Sequence, residues 1–285
     1  MHQFGFIGAE TDRLPKKEDR EDETRMFPYR AVIVDFDRTL LRTDKSISDD
    51  TVRILQECRQ AGARLFAATA RPERAITEYC ETVAFDAVTT LNGARTIIRD
   101  DVHETAINSR SAAYVLRQLN SIGGAVISAE TGNGIYANTE IPLWKPTVTD
   151  DICSLAEREI IYKILVSHPE IPTDRIRIEL TEDLYMTVAD QKLIQVMSRE
   201  ATKWNGIRMM LDAFQIGADQ TVYFGDDNDD IEPITKCGCG VAVANALPSV
   251  LAIADYVTGS NDEDGVAAFL SELSNCCSGE DRIRD

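Results

Sequence analysis

Four consecutive apolar residues, Ala31–Val34, are followed at once by Asp35 and, two positions on, by Asp37. This short run constrains the fold more than any other stretch. An apolar run without polar alternation suits a strand buried on both faces, and such strands occur in parallel sheets covered by helices. The following residues agree. Ser48 precedes the helical stretch DDTVRILQECRQAG, with Val52, Leu55 and Cys58 on one face and Gly62 as a stop. Leu65–Ala68 is the next apolar strand, ended by Thr69, and Arg71-Pro72 opens another helix, where proline is allowed in the first turn. Strand, helix, strand at this spacing predicts an α/β fold with a doubly wound, Rossmann-like parallel sheet.

The middle of the chain has a different texture. Arg95–Ile98, Ala125–Ala129, Ile135–Asn138, Tyr162–Ser167 and Leu184–Val188 are candidate strands, with helical segments near 109–121 and 172–178. The mixture predicts an inserted α+β domain with antiparallel strands. After about 200 the first texture returns: Thr202 begins a helix carrying Ile207, Met210, Leu211 and Phe214, and Thr221–Phe224 and Val241–Ala244 are apolar strands. The expected organisation is a flexible, charged N-terminal extension over 1–28, a core built from 29–94 and 191–275, an inserted domain over 95–190, and a tail over 276–285.

Composition narrows the function classes. The formal net charge is −18, which disfavours nucleic acid and anionic membrane as partners but not a small phosphorylated substrate held by local cations. No apolar run approaches the roughly 18 residues that span a bilayer. The first residues lack the apolar core and cleavage site of a signal peptide, so a cytoplasmic protein is expected. The seven cysteines include Cys237-Gly-Cys239 and Cys276-Cys277. Neither pair has a zinc-type partner pair elsewhere, and structural thiols in a reducing compartment are the simpler reading.

Ligand sites in open α/β sheets lie outside the carboxyl ends of the strands. Three proposed strands end there in polar groups: Asp35 with Asp37, then Thr69, then Asp226 with Asp227, Asp229 and Asp230. A single aspartate after a strand is often only a turn or helix cap. Many carboxylates converging at three strand ends repel one another unless a cation joins them, and all-oxygen ligation shared with water and phosphate suits Mg²⁺.

These motifs resemble those of the haloacid dehalogenase (HAD) superfamily, in its Cof-like phosphatase branch with a large C2-type cap. The family's D-x-D-G-T-L is matched by Asp35-Phe36-Asp37-Arg38-Thr39-Leu40, and its strand-ending Thr or Ser by Thr69 in FAATARP. Its lysine is matched by Lys203, its G-D-x-x-N-D-I by GDDNDDI at 225–231, and its N-G-A before the cap by Asn92-Gly93-Ala94. The closing stretch 241–270 is similar as well, so the likeness covers about 30–270.

The resemblance implies a Mg²⁺-dependent phosphatase acting on a small phosphorylated metabolite, a sugar phosphate or similar ester, through an aspartyl-phosphate. Asp35 would be the nucleophile and Asp37 the general acid and base. Thr69 would donate to a phosphate oxygen, and Lys203 would neutralise charge on the nucleophile and the transferring group. Thr69, Ala70, Arg71, Asn92 and Lys203 would contact substrate. The metal would involve Asp35, the carbonyl of Asp37 and Asp226, with Asp230 supporting. The inserted domain would be a cap that closes over the core. A phosphomutase of the same superfamily, or a catalytically weak binding or regulatory protein on the same fold, are the alternatives.

Three departures from the family pattern stand out. Arg38 replaces the glycine after the second aspartate, Asp229 replaces an asparagine that here sits one place earlier as Asn228, and T-G-R becomes Thr69-Ala70-Arg71. Arg38 either turns away from the phosphate pocket or reaches its mouth. Arg71 is a substrate contact or a helix-start ion pair, and Asn92 a site contact or a shaper of the hinge. Lys163 reads first as an edge-strand lysine that blunts pairing, and second as a cap substrate contact. The histidines, including His103 and His168, read as non-catalytic. Oligomeric state is not legible.

Overall fold

The computed structural model describes residues 27–189 and 192–278. The expected flexible extension, apart from its last two residues, lies outside them, as does the end of the tail. Phe27, placed in that extension, is instead buried in a core cluster with Val32, Leu65 and Phe224. An aromatic side chain with that much apolar surface is more stable packed than solvated.

The chain folds into two compact units. One takes the chain through Asn92, Thr96–Val102 and everything from Lys203 onward; the other takes Gly93–Arg95 and His103–Thr202. The return to the first unit therefore comes at Lys203 rather than near 191. The physical reason is a strand at Leu193–Ser198, which pairs inside the second unit.

In the first unit the elements run β1 (Ala31–Val34), α1 (Asp49–Gln60), β2 (Arg64–Ala68), α2 (Thr77–Val83) and β3 (Ala87–Thr90), followed by β4 (Arg95–Ile98) and β5 (Asp101–Glu104), each of which has residues in both units. The second unit contributes α3 (Ser109–Asn120), β6 (Val126–Thr131), β7 (Gly134–Ala137), β8 (Thr147–Val148) and α4 (Leu155–Arg158). It continues with β9 (Ile161–Ser167), β10 (Leu184–Ala189) and β11 (Leu193–Ser198). The first unit is completed by α5 (Lys203–Ala213), β12 (Thr221–Gly225), α6 (Ile231–Lys236), β13 (Cys239–Val243), α7 (Pro248–Leu251), β14 (Tyr256–Thr258) and α8 (Gly265–Ser278). The expected helix near 172–178 is only a 3₁₀ turn at Thr173–Arg175. Pro172 opens that turn, but the apolar residues beyond it, Ile176, Ile178 and Leu180, recur at every second position, the period of an extended chain and not of a helix.

The eight-stranded sheet has the order β14-β13-β12-β1-β2-β3-β4-β5. Strands β1, β2, β3, β12, β13 and β14 pair in parallel. Alternate residues of the central strands face opposite sides. Val32, Val34, Leu65, Val222 and Phe224 pack under α1 and α8, while Ile33, Phe66, Tyr223 and Ala242 pack under α5 and α6. Two helical layers on one parallel sheet make the doubly wound arrangement expected for Val-rich strands buried on both faces. Ser48 caps α1 as expected, its hydroxyl accepting from the Thr51 amide at 3.0 Å.

The order reverses at β1, which has β2 on one side and β12 on the other. That reversal is the topological switch point, where the loops leaving adjacent strands diverge and open a crevice. Asp35 follows β1, and Asp226 follows β12.

In the second unit a six-stranded sheet, β10-β11-β9-β6-β7-β8, is antiparallel except for the β7–β8 pair. Helices α3 and α4 cover one face through Leu116, Leu119 and Leu155 against Ile127, Ile164 and Val166. Lys163 is not at an edge: it lies on β9, between β11 and β6, is 2% exposed, and donates to Gln195 Oε1 at 2.9 Å. Its ammonium is tolerable inside the sheet because it bonds to Gln195 of β11, and Glu130 of β6 is its partner in register.

Candidate active site

The site is built at the switch point from residues that sequence order keeps far apart. Asp35 is aimed by backbone bonds on both sides: its amide donates to Phe224 O, and its carbonyl accepts from the Leu40 amide. On β12, Gly225 lets the following turn fold back tightly, since a Cβ there would lie 2.5 Å from the Cβ of Asp230. The turn therefore brings Asp230 against the start of its own loop, where its Oδ2 accepts from the amides of Asp226 and Asp227 at 2.9 and 3.0 Å.

Carboxylate oxygens of Asp35, Asp226 and Asp230 come within 4.8 Å of one another, and all three residues are buried. Lys203, at the start of α5 and 3% exposed, donates to Asp35 Oδ1 at 2.8 Å and Asp230 Oδ1 at 2.6 Å. It also lies 3.3 Å from Asp229 Oδ1. Asp230 Oδ1 receives a further hydrogen bond from the Tyr223 hydroxyl at 2.5 Å. With both oxygens taken by four protein donors, Asp230 positions the lysine and the loop. Asp226 is held differently: Thr39 Oγ1 donates to its Oδ1 at 3.1 Å, and Arg38 Nε stands 3.4 Å from its Oδ2.

The electrostatics follow from burial and crowding. Burial pushes the Asp35 carboxyl well above its usual range; Lys203 opposes this, while Asp230, Asp226 and Asp229 add to it. Asp226 is pushed up to about 7, chiefly by burial and then by Asp230, with Lys203 and Arg38 opposing. Burial would depress Lys203, but Asp229, Asp230 and Asp35 carry it well above its usual value. One buried ammonium and the half-exposed Arg38 guanidinium thus face four acids, and the cluster is short of positive charge. Hard carboxylate oxygens with that deficit fit a small divalent cation, and Asp35 and Asp226 are the residues that would hold it.

Asp37 lies beside this cluster in another setting. Arg71 grips it with two bonds, Nε to Oδ2 at 2.6 Å and Nη2 to Oδ1 at 2.7 Å, and Lys45 Nζ donates to Oδ1 at 2.8 Å. Burial alone would raise its carboxyl, but Arg71 and Lys45 prevail and lower it to about 2. Arg71 is therefore neither a surface helix-start pair nor free for substrate in this arrangement. Thr69, 1% exposed at the end of β2, accepts from the Arg71 amide at 3.2 Å. Ala70 follows it in the same loop.

Asn92, with its neighbour Leu91, adopts a left-handed backbone at φ 58°, and its Nδ2 donates to Asp229 Oδ2. The extra carboxylate at 229 is thus turned toward Lys203 and Asn92. Arg38 is also left-handed, at φ 61°. A residue with a Cβ costs about 1–2 kcal/mol there, which glycine avoids.

The first unit thus gathers Asp35, Asp37, Thr69, Arg71, Asn92, Lys203, Asp226 and Asp230 around the ends of β1, β2 and β12. Three contributors have no clear signal of this role in the sequence. Thr39 belongs to the matched D-x-D-G-T-L motif but carries no role of its own there, Lys45 reads only as part of a polar loop, and Tyr223 stands in an otherwise apolar strand, where its hydroxyl needs a partner. His168 has a structural task, its Nδ1 accepting from the amides of Glu170 and Ile171. Cys58, Cys80, Cys153, Cys237 and Cys239 are free thiols. No described helix is long and apolar enough to cross a membrane.

The model of the haloacid dehalogenase-like hydrolase family matches residues 32–270. The chain belongs to the haloacid dehalogenase-like hydrolases. Among relatives of this HAD chain, the 5-amino-6-(5-phospho-D-ribitylamino)uracil phosphatase of Bacillus subtilis is 27% identical over 264 residues, covering 86% of this chain and 97% of its own. The pyridoxal phosphate phosphatase of Escherichia coli is 26% identical over 267 residues, covering 85% and 97%. A solved phosphatase of the HAD superfamily from Bacteroides thetaiotaomicron has the same fold, with a TM-score of 0.77 at 23% identity over 90% of this chain and 98% of that one.

Proposed function

We propose that this HAD chain is a Mg²⁺-dependent phosphatase of small phosphorylated metabolites, working through an aspartyl-phosphate on Asp35. The observation that carries the reading is the convergence of Asp35, Asp226 and Asp230 around Lys203 at the switch point. A carboxylate held 2.8 Å from a buried ammonium is an oriented nucleophile, and covalent catalysis splits one difficult displacement into two easier ones. Lys203 offsets charge that gathers on the phosphoryl oxygens, where fixed electrostatics do most of the work. Asp35, the Asp37 carbonyl and Asp226 would hold Mg²⁺, which would supply Lewis-acid charge neutralisation at the phosphoryl group. Asp230 keeps the Asp226 loop and Lys203 in register.

Asp37 has two tasks in this reading. Gripped by Arg71 and Lys45 it is a carboxylate, the form that accepts a proton from the attacking water. To donate a proton to the leaving oxygen it must first be released, and an incoming phosphate is an anion that competes with it for Arg71. The Thr69 hydroxyl, Arg71 and Asn92 are the candidate substrate contacts, with Ala70 between the first two. The names of the relatives, a phosphoribityl-aminouracil phosphatase and a pyridoxal phosphate phosphatase, support a small phosphomonoester and do not choose between a sugar phosphate and a heterocyclic one.

Incubation with Mg²⁺ and an aryl phosphate should release inorganic phosphate, and Asp35→Asn should abolish the release. Transfer of the phosphoryl group within an added sugar phosphate, with no free phosphate, would favour the phosphomutase instead. Absence of both would leave a binding protein.

A further inference from the structure

Arg38 stands where the family motif has glycine, and its surroundings are specific. Its carbonyl accepts from Asn245 Nδ2 at 2.8 Å, and its Nη2 donates to Asn245 O at 2.9 Å. Asn245 thus holds the residue at both ends. Between these anchors Nε lies 3.4 Å from Asp226 Oδ2, while the other Asp226 oxygen accepts from Thr39. The Arg38 side chain is 51% exposed and the Asp226 side chain 4%, so the guanidinium stands at the solvent side of a buried carboxylate. It is neither turned away from the site nor aimed past it.

We infer that Arg38 is a built-in competitor of the divalent cation, a positioning residue that pairs with Asp226 in the metal-free enzyme and lowers its affinity for metal. The inference rests on Asp226 being a metal ligand, as proposed above. A positive charge held beside the ligand's Oδ2 opposes a second cation there, and its exposed side is screened enough to yield when the ion arrives.

Direct binding of Mn²⁺, followed by the loss of the free-ion electron paramagnetic resonance signal and by Mg²⁺ competition, tests this without turnover. Arg38→Gln keeps a side chain on the left-handed backbone but removes the charge, and Arg38→Gly removes both. Arg38→Lys keeps the charge. Arg38→Gln and Arg38→Gly should bind Mn²⁺ about tenfold more tightly than wild type, the order expected of one half-screened charge, and Arg38→Lys should stay within about threefold of wild type. Equal affinity in wild type and Arg38→Gln overturns the proposal, as does tightening in Arg38→Gly alone, which would assign the effect to the backbone. If neither wild type nor Arg38→Gln binds Mn²⁺, the metal reading of Asp226 falls and the inference with it. If Asp226→Asn binds like wild type, the competition is not at Asp226.

Discussion

Lys203 is the residue on which the site's charge balance depends, since it touches Asp35, Asp229 and Asp230 at once. Lys203→Met should lower turnover of an aryl phosphate by about 10²–10³-fold, the usual cost of losing one oriented transition-state charge. It should also destabilise the metal-free protein by about 3–5 kcal/mol in denaturant titration, because it leaves buried carboxylates without their cation. Asp37 makes the opposite case: Arg71 and Lys45 hold its carboxyl down at about 2. A depressed carboxyl adds stability that is present above its unfolded value, near 4, and is lost as pH falls through about 2. Arg71→Ala should therefore lose stability relative to wild type at neutral pH, and the gap should close between about pH 4 and pH 2. With the Asp37 side chain 40% exposed, that gap should be small; a gap unchanged down to pH 2 would mean the clamp contributes nothing in solution. Asp35, Asp37, Thr69 and Asp226 are legible in the sequence because they come at strand ends visible there, whereas Lys203 is legible only through the family motif it matches. Lys45 and Tyr223 are not, since one comes from a loop and the other from the middle of a strand, and only the fold brings them to Asp37 and Asp230.

At the level of elements, the two strand ends and the turn after β12 do the positioning. Gly225 is needed for its size: a methyl group there would strike Asp230 at 2.5 Å. Gly225→Ala should cost about 1–3 kcal/mol by forcing the turn outward, and turnover should fall with it, since Asp230 would lose its hold on Lys203. Stability loss with full activity would show that Asp230 is not needed to place the lysine. By contrast, Ser48→Ala should cost about 1 kcal/mol from the lost cap and leave kcat unchanged, because α1 packs on the sheet without touching the acids. Core strands are legible because both their faces are buried, so their sequences are continuous apolar runs. Strand β11 is not: in LIQVMS one face carries Ile194 and Val196 toward the helices and the other carries Gln195 toward Lys163. The sequence there looks mixed, so a boundary placed near 191 falls on the wrong side of the strand.

For the molecule as a whole, a formal charge of −18 sits uneasily with a phosphorylated ligand unless positive charge is concentrated where the phosphate goes. Lys203, Arg71, Lys45 and Arg38 are that concentration, and each is already committed to an aspartate. The first unit therefore holds its cations ready but paired, and in the proposed reading substrate and metal exchange with these internal partners. The proposed chemistry stands or falls on Asp35 taking the phosphoryl group. Acid-quenching the enzyme during turnover with Mg²⁺ and an aryl phosphate, followed by peptide mass spectrometry, measures this directly. The expected result is a phosphorylated peptide containing Asp35, absent from Asp35→Asn, which should also be inactive. Undiminished phosphate release by Asp35→Asn, with no phosphorylated peptide from either protein, would contradict it.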